Sequence, residues 1–221
     1  MTDRIATVTP YLIPAEPVKD QWWARKAYVL VRVETRDGIV GWGECHLLTF
    51  REDAMTALIN RLAEWVIGRP AHDIRAFMWE AFGRFGQQRP GVEVYSAFAG
   101  IEIALWDILG KRLGVPVHCL LGGACHESIP VYANIYTPDI HPPTAYADVA
   151  AGIAEQGYTK IKLYPFTSKT TVNDGVAILE AVTDAVGTDV DLAVDLWRHA
   201  SPARALALAR ATEQFNLMWI E

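Results

Sequence analysis

The sequence predicts a mixed α+β and α/β fold in two parts, an α+β domain over residues 1–125 and the first half of a TIM-type (β/α) barrel over residues 126–221. Three observations predict it. Apolar residues alternate with polar ones in the first 45 residues, helical periodicity follows, and strand and helix patterns alternate from residue 129 onward. Because such alternation implies parallel strands joined by crossovers, the second part should differ in layering from the first.

The first part is expected to combine three strands with three helices. The strands are predicted at residues 5–13, 27–34 and 39–44, with loops at 14–25 and 45–51. Arg36-Asp37-Gly38, between two alternating apolar runs, indicates a hairpin turn. The helices are predicted at residues 52–67, 72–85 and 92–113. Gly114 and Pro116 end the last of them, because neither residue continues a helix well.

The second part is expected to contain four parallel strands and three helices. Strands at residues 129–135, 159–164, 190–195 and 217–221 alternate with helices at 143–156, 171–186 and 202–214. This is about half of an eight-stranded barrel, which takes roughly 250 residues. A doubly wound open sheet fits the same alternation, but no glycine-rich phosphate loop follows the first strand. The barrel is therefore favoured, and the sequence is expected to be truncated after the fourth strand.

Composition restricts the class of partner and the compartment. The formal net charge of −6 comes without a long run of like charges, so nucleic acid and membrane surfaces are not expected partners. No apolar window reaches the roughly 18 residues that a membrane helix needs. Cys45, Cys119 and Cys125 form no metal-binding pattern and are predicted to be buried thiols. These features favour a cytoplasmic protein that binds a small molecule.

Four charged residues fall where the predicted barrel strands end. Lys160 and Lys162 alternate with apolar residues, so both should point away from the helices and into the barrel. Asp195 and Glu221 end the third and fourth strands. Taken singly, a Lys-x-Lys pattern is typical of a solvated edge, and each acid fits a solvated strand end. Together they predict a carboxylate metal site with a lysine base, because barrel enzymes keep catalysis at strand carboxyl ends.

At these residues the sequence resembles the enolase superfamily, more narrowly its mandelate racemase and muconate lactonizing enzyme group. VLVRVETRDGIVGWGE at residues 29–44 is similar to the hairpin of the family's capping domain, and ALWDILGK at 104–111 to its long helix. Lys160-Ile161-Lys162 is similar to the family's Lys-x-Lys motif, Val194-Asp195 to its first metal ligand, and Trp219-Ile220-Glu221 to the opening of its Glu-Glu-Pro motif. The resemblance implies a capping domain over residues 1–125 and a barrel domain over 126–221.

The resemblance also implies a reaction. Asp195 and Glu221 would hold Mg²⁺, which binds the carboxylate of a small-molecule substrate, and Lys162 would remove the proton from the adjacent carbon. Lys160 would be its partner and lower the pKa of Lys162 by like-charge repulsion. The family's third metal ligand and second acid–base group follow later than residue 221. Dehydration of a sugar acid is favoured, with racemisation, epimerisation or cycloisomerisation as the alternative.

Substrate recognition is expected from the two loops of the capping domain and from the barrel. Trp22, Trp23, Arg25 and His46 offer aromatic walls and hydrogen-bonding groups that suit a polyhydroxylated acid, although both tryptophans equally fit a packing role. Tyr164 shares the face of Lys162 and either touches substrate, supplies a proton or packs at the barrel mouth.

Two features depart from the family pattern. Trp197 stands where many relatives have asparagine or histidine, and His199 nearby is either a substitute acid or solvated. The resemblance implies a homo-oligomer when the barrel is complete. Because half of the barrel is missing from this sequence, an inactive fragment or an interaction module is the alternative from another class.

Overall fold

The computed structural model describes residues 3–14, 27–47, 50–88, 91–135, 142–167, 169–197 and 200–221. The chain divides into two compact units, Met1–Cys125 and His126–Glu221, and each is considered by itself. None of the helices in these described ranges is long and apolar enough to cross a bilayer.

The first unit contains an antiparallel sheet and a group of helices. The strands are β1 (Ile5–Ile13), β2 (Tyr28–Thr35) and β3 (Val40–Cys45), in the order β1-β2-β3. The helices are α1 (Glu52–Val66), α2 (Ile74–Phe85), α3 (Val92–Leu113) and the short α4 (Val117–Leu120), and a 3-10 turn covers Gly86–Gln88. Gly38 has a φ of +88° in the turn between β2 and β3, a conformation that favours glycine. The predicted α+β class is confirmed.

The core of this unit lies between the sheet and helices α1, α2 and α3. Val29, Val31 and Val33 of β2 are fully buried, and Phe98 and Ile101 of α3 are buried in the same cluster. Every second residue of β2 faces the core because side chains alternate along a strand.

Helix α3 also approaches the backbone of β3 closely. A Cβ atom on Gly43 would overlap the carbonyl oxygen of Gly100, and one on Gly41 would overlap that of Ala104. Only glycine leaves room for a helix at this distance, so these two positions determine how α3 lies on the sheet.

The cysteines of this unit differ from the expectation that all three are buried. Cys45 is buried, whereas Cys119 and Cys125 are exposed because they lie in and after the short α4, outside the core. Burial raises the pKa of the Cys45 thiol to about 12. The folded protein therefore keeps this proton at a pH where the unfolded chain has lost it, so the thiol's contribution to stability is complete below pH 9 and falls as the pH rises toward 12.

We expect this difference to appear in thiol labelling. At pH 8, iodoacetamide should modify Cys119 and Cys125 of the native protein quickly and leave Cys45 unmodified, because Cys45 is both buried and protonated. Mass spectrometry should count the third adduct only after denaturant is added. Fast labelling of Cys45 in the native protein would contradict its placement in the core.

The second unit contains a parallel sheet covered by helices. Its strands are β4 (Ala133–Ile135), β5 (Lys160–Leu163) and β6 (Asp191–Val194), in the order β4-β5-β6. The helices are α5 (Pro143–Glu155), α6 (Val172–Val186) and α7 (Pro202–Thr212), and 3-10 turns cover Gly187–Asp189 and Glu213–Phe215. The predicted strand–helix alternation is confirmed. Strand β4 begins four residues later than predicted, because β5 begins at Lys160 and Ala133 already pairs with Ile161.

The predicted fourth strand is present as backbone pairing beside β6. The Val194 N–H donates to the Trp219 carbonyl at 3.1 Å, and the Glu221 N–H donates to the Val194 carbonyl at 2.8 Å. The pairing is parallel and centred on Val194 and Ile220. Because parallel neighbours end on the same edge of a sheet, this pairing brings Glu221 beside the residue that follows β6, Asp195.

The two faces of β5 have different partners. Ile161 and Leu163 are fully buried in a cluster that includes Phe166 and Ile178, whereas Lys160 and Lys162 alternate with them along the strand. Helix α6 packs on this cluster through residues such as Ile178, and its first turn is stabilised by a capping box in which Thr171 and Asp174 exchange hydrogen bonds. The face opposite the helices thus carries the charged side chains, as the sequence predicts.

Candidate active site

Three polar side chains meet at the carboxyl ends of the parallel strands. Lys162 lies on β5 opposite Ala193 of β6, and Asp195 follows β6 with its backbone N–H bonded to the Leu163 carbonyl at 3.0 Å. The Lys162 ammonium donates to Asp195 Oδ2 at 3.1 Å and to Glu221 Oε2 at 2.8 Å. The structure therefore brings together three of the residues that the sequence singles out.

Two of the three side chains in the cluster are largely buried. The side chains of Lys162 and Asp195 are 6% and 10% exposed, whereas that of Glu221 is 54% exposed. Burying a charge without a partner is costly, so Lys162 and Asp195 depend on each other. The cluster carries one positive and two negative charges, a net charge of −1, and Glu221 is the charged residue that is exposed to solvent.

The pKa of Lys162 differs from the expectation of a lowered value. Burial lowers it, but the hydrogen bonds from the ammonium to Glu221 and Asp195 outweigh burial and raise the pKa above its ordinary value. In this arrangement Lys162 is a firmly protonated ammonium.

Lys160 does not join the cluster. Its ammonium lies 3.9 Å from Asp191 Oδ2, at the amino ends of β5 and β6, and its side chain is 38% exposed. Two residues along a strand span about 6.6 Å, so two lysines on one face can contact acids at opposite ends of the strands. Lys160 thus has an ion-pair partner of its own, and its implied effect on the pKa of Lys162 stays a prediction.

Aromatic rings line the cluster. The Lys162 Nζ atom lies 5.5 Å from the ring centres of both Tyr132 and Tyr164, within range of a cation–π contact. Trp219 meets Tyr132 edge to face, with 5.3 Å between ring centres. Tyr164 is predicted on this face, whereas Tyr132 is not, because its nearness to Lys162 depends on the pairing of Asn134 with Lys162, which no local signal gives.

Asp195 is oriented by the backbone as well as by Lys162. Its Oδ1 atom accepts a hydrogen bond from the Trp197 N–H at 2.7 Å, and Trp197 has a φ of +46°. A non-glycine residue with a positive φ is uncommon and needs support from its surroundings. Both carboxylate oxygens of Asp195 therefore have a donor, which restricts the side chain to one orientation.

Of the five remaining candidates, His46 is the one that falls within the described residues. His46 follows β3 in the first unit, where its carbonyl accepts a hydrogen bond from Ser96 Oγ at 2.6 Å. Trp22, Trp23, Arg25 and His199 fall outside the described residues. A part for these residues in substrate binding stays a prediction.

The cluster has the ligand chemistry of a magnesium site. Asp195 and Glu221 converge on one cation, the Lys162 ammonium, and carboxylate oxygens are the ligands that Mg²⁺ prefers. Across the described part of the chain no group of three or more histidine, cysteine or acidic residues could hold a metal. Two carboxylates suffice for Mg²⁺, which usually keeps several waters or substrate oxygens. The two residues therefore fit the ion as part of its coordination shell.

A parallel sheet covered by helices, with a lysine and two carboxylates at its strand ends, is consistent with part of a (β/α) barrel, and comparison with known proteins agrees with that fold class. Residues 6–122 match the N-terminal domain of the mandelate racemase / muconate lactonizing enzyme family, and residues 145–221 match the enolase C-terminal domain-like family. The chain belongs to the mandelate racemase / muconate lactonizing enzyme group of the enolase superfamily.

Individual relatives are enzymes named for sugar acids. The chain is 30% identical to a D-galactonate dehydratase of Pectobacterium atrosepticum, over 99% of this chain and 54% of the relative. It is 31% identical to a D-xylonate dehydratase of Haloferax volcanii, over 88% of this chain and 50% of the relative. The chain thus spans about half the length of these curated relatives.

A solved structure supports the fold. The crystal structure of an enolase from the environmental genome shotgun sequencing of the Sargasso Sea superposes with a TM-score of 0.86 at 26% identity, over 99% of this chain and 58% of that one. These comparisons give no support to the alternative of an inert fragment or interaction module.

Proposed function

We propose that the protein dehydrates a sugar acid by removing the proton next to its carboxylate, with Mg²⁺ as cofactor. The observation that carries the proposal is the convergence of Lys162, Asp195 and Glu221 at the strand ends. The dehydratase names of the relatives support the substrate class. In this proposal residues 1–125 form a capping domain and residues 126–221 belong to the catalytic barrel.

The proposed reaction balances as the loss of one water. The C2–H bond breaks and its proton passes to a base, while the electron pair moves into an enolate. The hydroxyl group on C3 then leaves with a proton, which makes water, and the resulting enol becomes a 2-keto-3-deoxy acid. The first step is difficult because the enolate of a carboxylate carries two negative charges, so positive groups must stand close to it.

Each residue of the cluster has a proposed part. Asp195 and Glu221 would hold the magnesium ion, which supplies positive charge against the enolate when bound. Lys162 would take the C2 proton as a neutral amine, which requires that it first leave the two carboxylates that keep it protonated in this arrangement. Tyr132 and Tyr164 would exclude water from Lys162 on two sides. A part for Lys160, whose ammonium lies 3.9 Å from Asp191 Oδ2, stays a prediction from the family resemblance.

The test uses the native full-length polypeptide that contains this sequence. It would be incubated with Mg²⁺ in deuterium oxide and with gluconate, galactonate or xylonate in turn. We expect a 2-keto-3-deoxy acid from at least one of them, and no product after chelation of the metal. If deuterium enters C2 of the sugar acid and no water is lost, racemisation or epimerisation is favoured instead. No reaction with any sugar acid would contradict the proposed substrate class.

A further inference from the structure

We propose that Lys162 occupies the place of the divalent cation and competes with it, so that metal binding displaces the lysine from Asp195 and Glu221. This inference rests on the proposed metal site but concerns binding and not turnover. It would make Lys162 a residue with two positions, one on the carboxylates and one released from them.

Lys162 and a bound ion would use the same carboxylate oxygen atoms. Of the two oxygens of Asp195, Oδ1 is held by the Trp197 N–H at 2.7 Å and Oδ2 by Lys162 at 3.1 Å. Lys162 also takes Glu221 Oε2 at 2.8 Å. At Asp195 the oxygen that the backbone leaves for an ion is therefore the one that the ammonium holds, and at Glu221 the ammonium holds one of the two oxygens.

A bound divalent ion and the Lys162 ammonium would also repel each other. An ion bound to Asp195 Oδ2 at about 2.1 Å would lie no more than about 5.2 Å from Lys162 Nζ if the lysine stayed in place. A divalent and a monovalent cation at that separation repel each other strongly where little water screens them. Because the Lys162 side chain is only 6% exposed, the two are not expected to share the carboxylates in this arrangement.

Lys162 also has partners besides the two carboxylates. The rings of Tyr132 and Tyr164 both lie 5.5 Å from Nζ, and aromatic faces attract an ammonium that has lost water. Glu221 is 54% exposed, so its side chain has room to follow an ion while Lys162 moves away. An ion could therefore take over the carboxylates while the displaced ammonium keeps aromatic contacts.

The experiment is isothermal titration of Mg²⁺ into the full polypeptide and three variants. We expect Lys162→Met to bind Mg²⁺ at least about tenfold more tightly than the wild type, because the competing charge is gone. Lys162→Arg keeps the charge and should stay within about twofold of the wild type. Lys160→Met removes a lysine from the same face of the same strand, but one that pairs with Asp191, and should also stay within about twofold.

Three results would overturn the inference. Equal or weaker binding by Lys162→Met excludes competition while leaving the metal site of the proposed function intact. An equal gain in Lys160→Met shows a general charge effect. No binding by the wild type or any variant contradicts both the inference and the metal site.

A second measurement is made on the wild type, needs only Lys162→Arg for assignment, and covers the case in which Lys162→Met does not fold. In the wild type, the ¹⁵N resonance of the Lys162 ammonium should shift when Mg²⁺ saturates the protein, because Nζ leaves its two carboxylate partners. The resonance is assigned by its absence from Lys162→Arg. An unchanged resonance at saturation would overturn the inference.

Discussion

Replacing Lys162 by alanine in the full polypeptide is expected to lower the rate of sugar-acid turnover by about 10²–10⁴-fold, the usual range for loss of an acid–base group. We expect this loss because of where the Lys162 ammonium lies. The Lys162 ammonium contacts both Asp195 and Glu221, whereas Lys160 is paired at the other end of the strands. Exchange of the C2 proton with deuterium oxide, followed by NMR, should fall by the same factor, because it reports the first step alone.

The same substitution should lower the melting temperature, since it leaves Asp195 largely buried without its counter-charge. Rates should therefore be measured well below the melting transition of the variant. Arg210→Ala, which removes an exposed cation from the last turn of α7, is the control and should keep both rate and exchange. Unchanged proton exchange in a folded Lys162→Ala protein would contradict the assignment of Lys162.

Replacing Gly43 by alanine is expected to destabilise the protein by about 1–3 kcal/mol, the usual effect of overpacking. The added methyl group would overlap the Gly100 carbonyl, and both atoms belong to regular elements whose backbones cannot move independently. Urea denaturation followed by tryptophan fluorescence and circular dichroism measures the change in the free energy of unfolding.

Gly83→Ala provides the matched control for that experiment. Gly83 lies within α2, and a Cβ atom there would meet nothing within 4 Å. Alanine stabilises a helix interior relative to glycine by about 0.8–1 kcal/mol, so this variant should be slightly more stable than the wild type. Equal stability of Gly43→Ala and the wild type would show that α3 can move away from β3.

The helices could be predicted closely because their ends carry local signals. The predicted range of α3, residues 92–113, agrees with the structure, and Gly114 follows it with a φ of +69°. Helical periodicity and a glycine stop are both contained in neighbouring residues, so no tertiary information is needed.

The site could be predicted only in part because alternation along a strand gives a face but not a depth. Lys160 and Lys162 have the same face, yet one pairs with Asp191 and the other with Asp195. Depth depends on the register between strands, which is set by long-range packing. The same limit explains Tyr132, whose nearness to Lys162 follows from the pairing of Asn134 with Lys162.

The orientation of Asp195 has a consequence for ion selectivity at the proposed metal site. One carboxylate is braced by the Trp197 N–H and largely buried, whereas Glu221 is more than half exposed. A cage of rigid ligands selects an ion by its radius, and an adjustable ligand relaxes that selection. A site with one fixed and one adjustable carboxylate should also bind Mn²⁺ and other ions near the size of Mg²⁺. Which ion is bound would then depend more on the concentrations of these ions around the protein than on the geometry of the site.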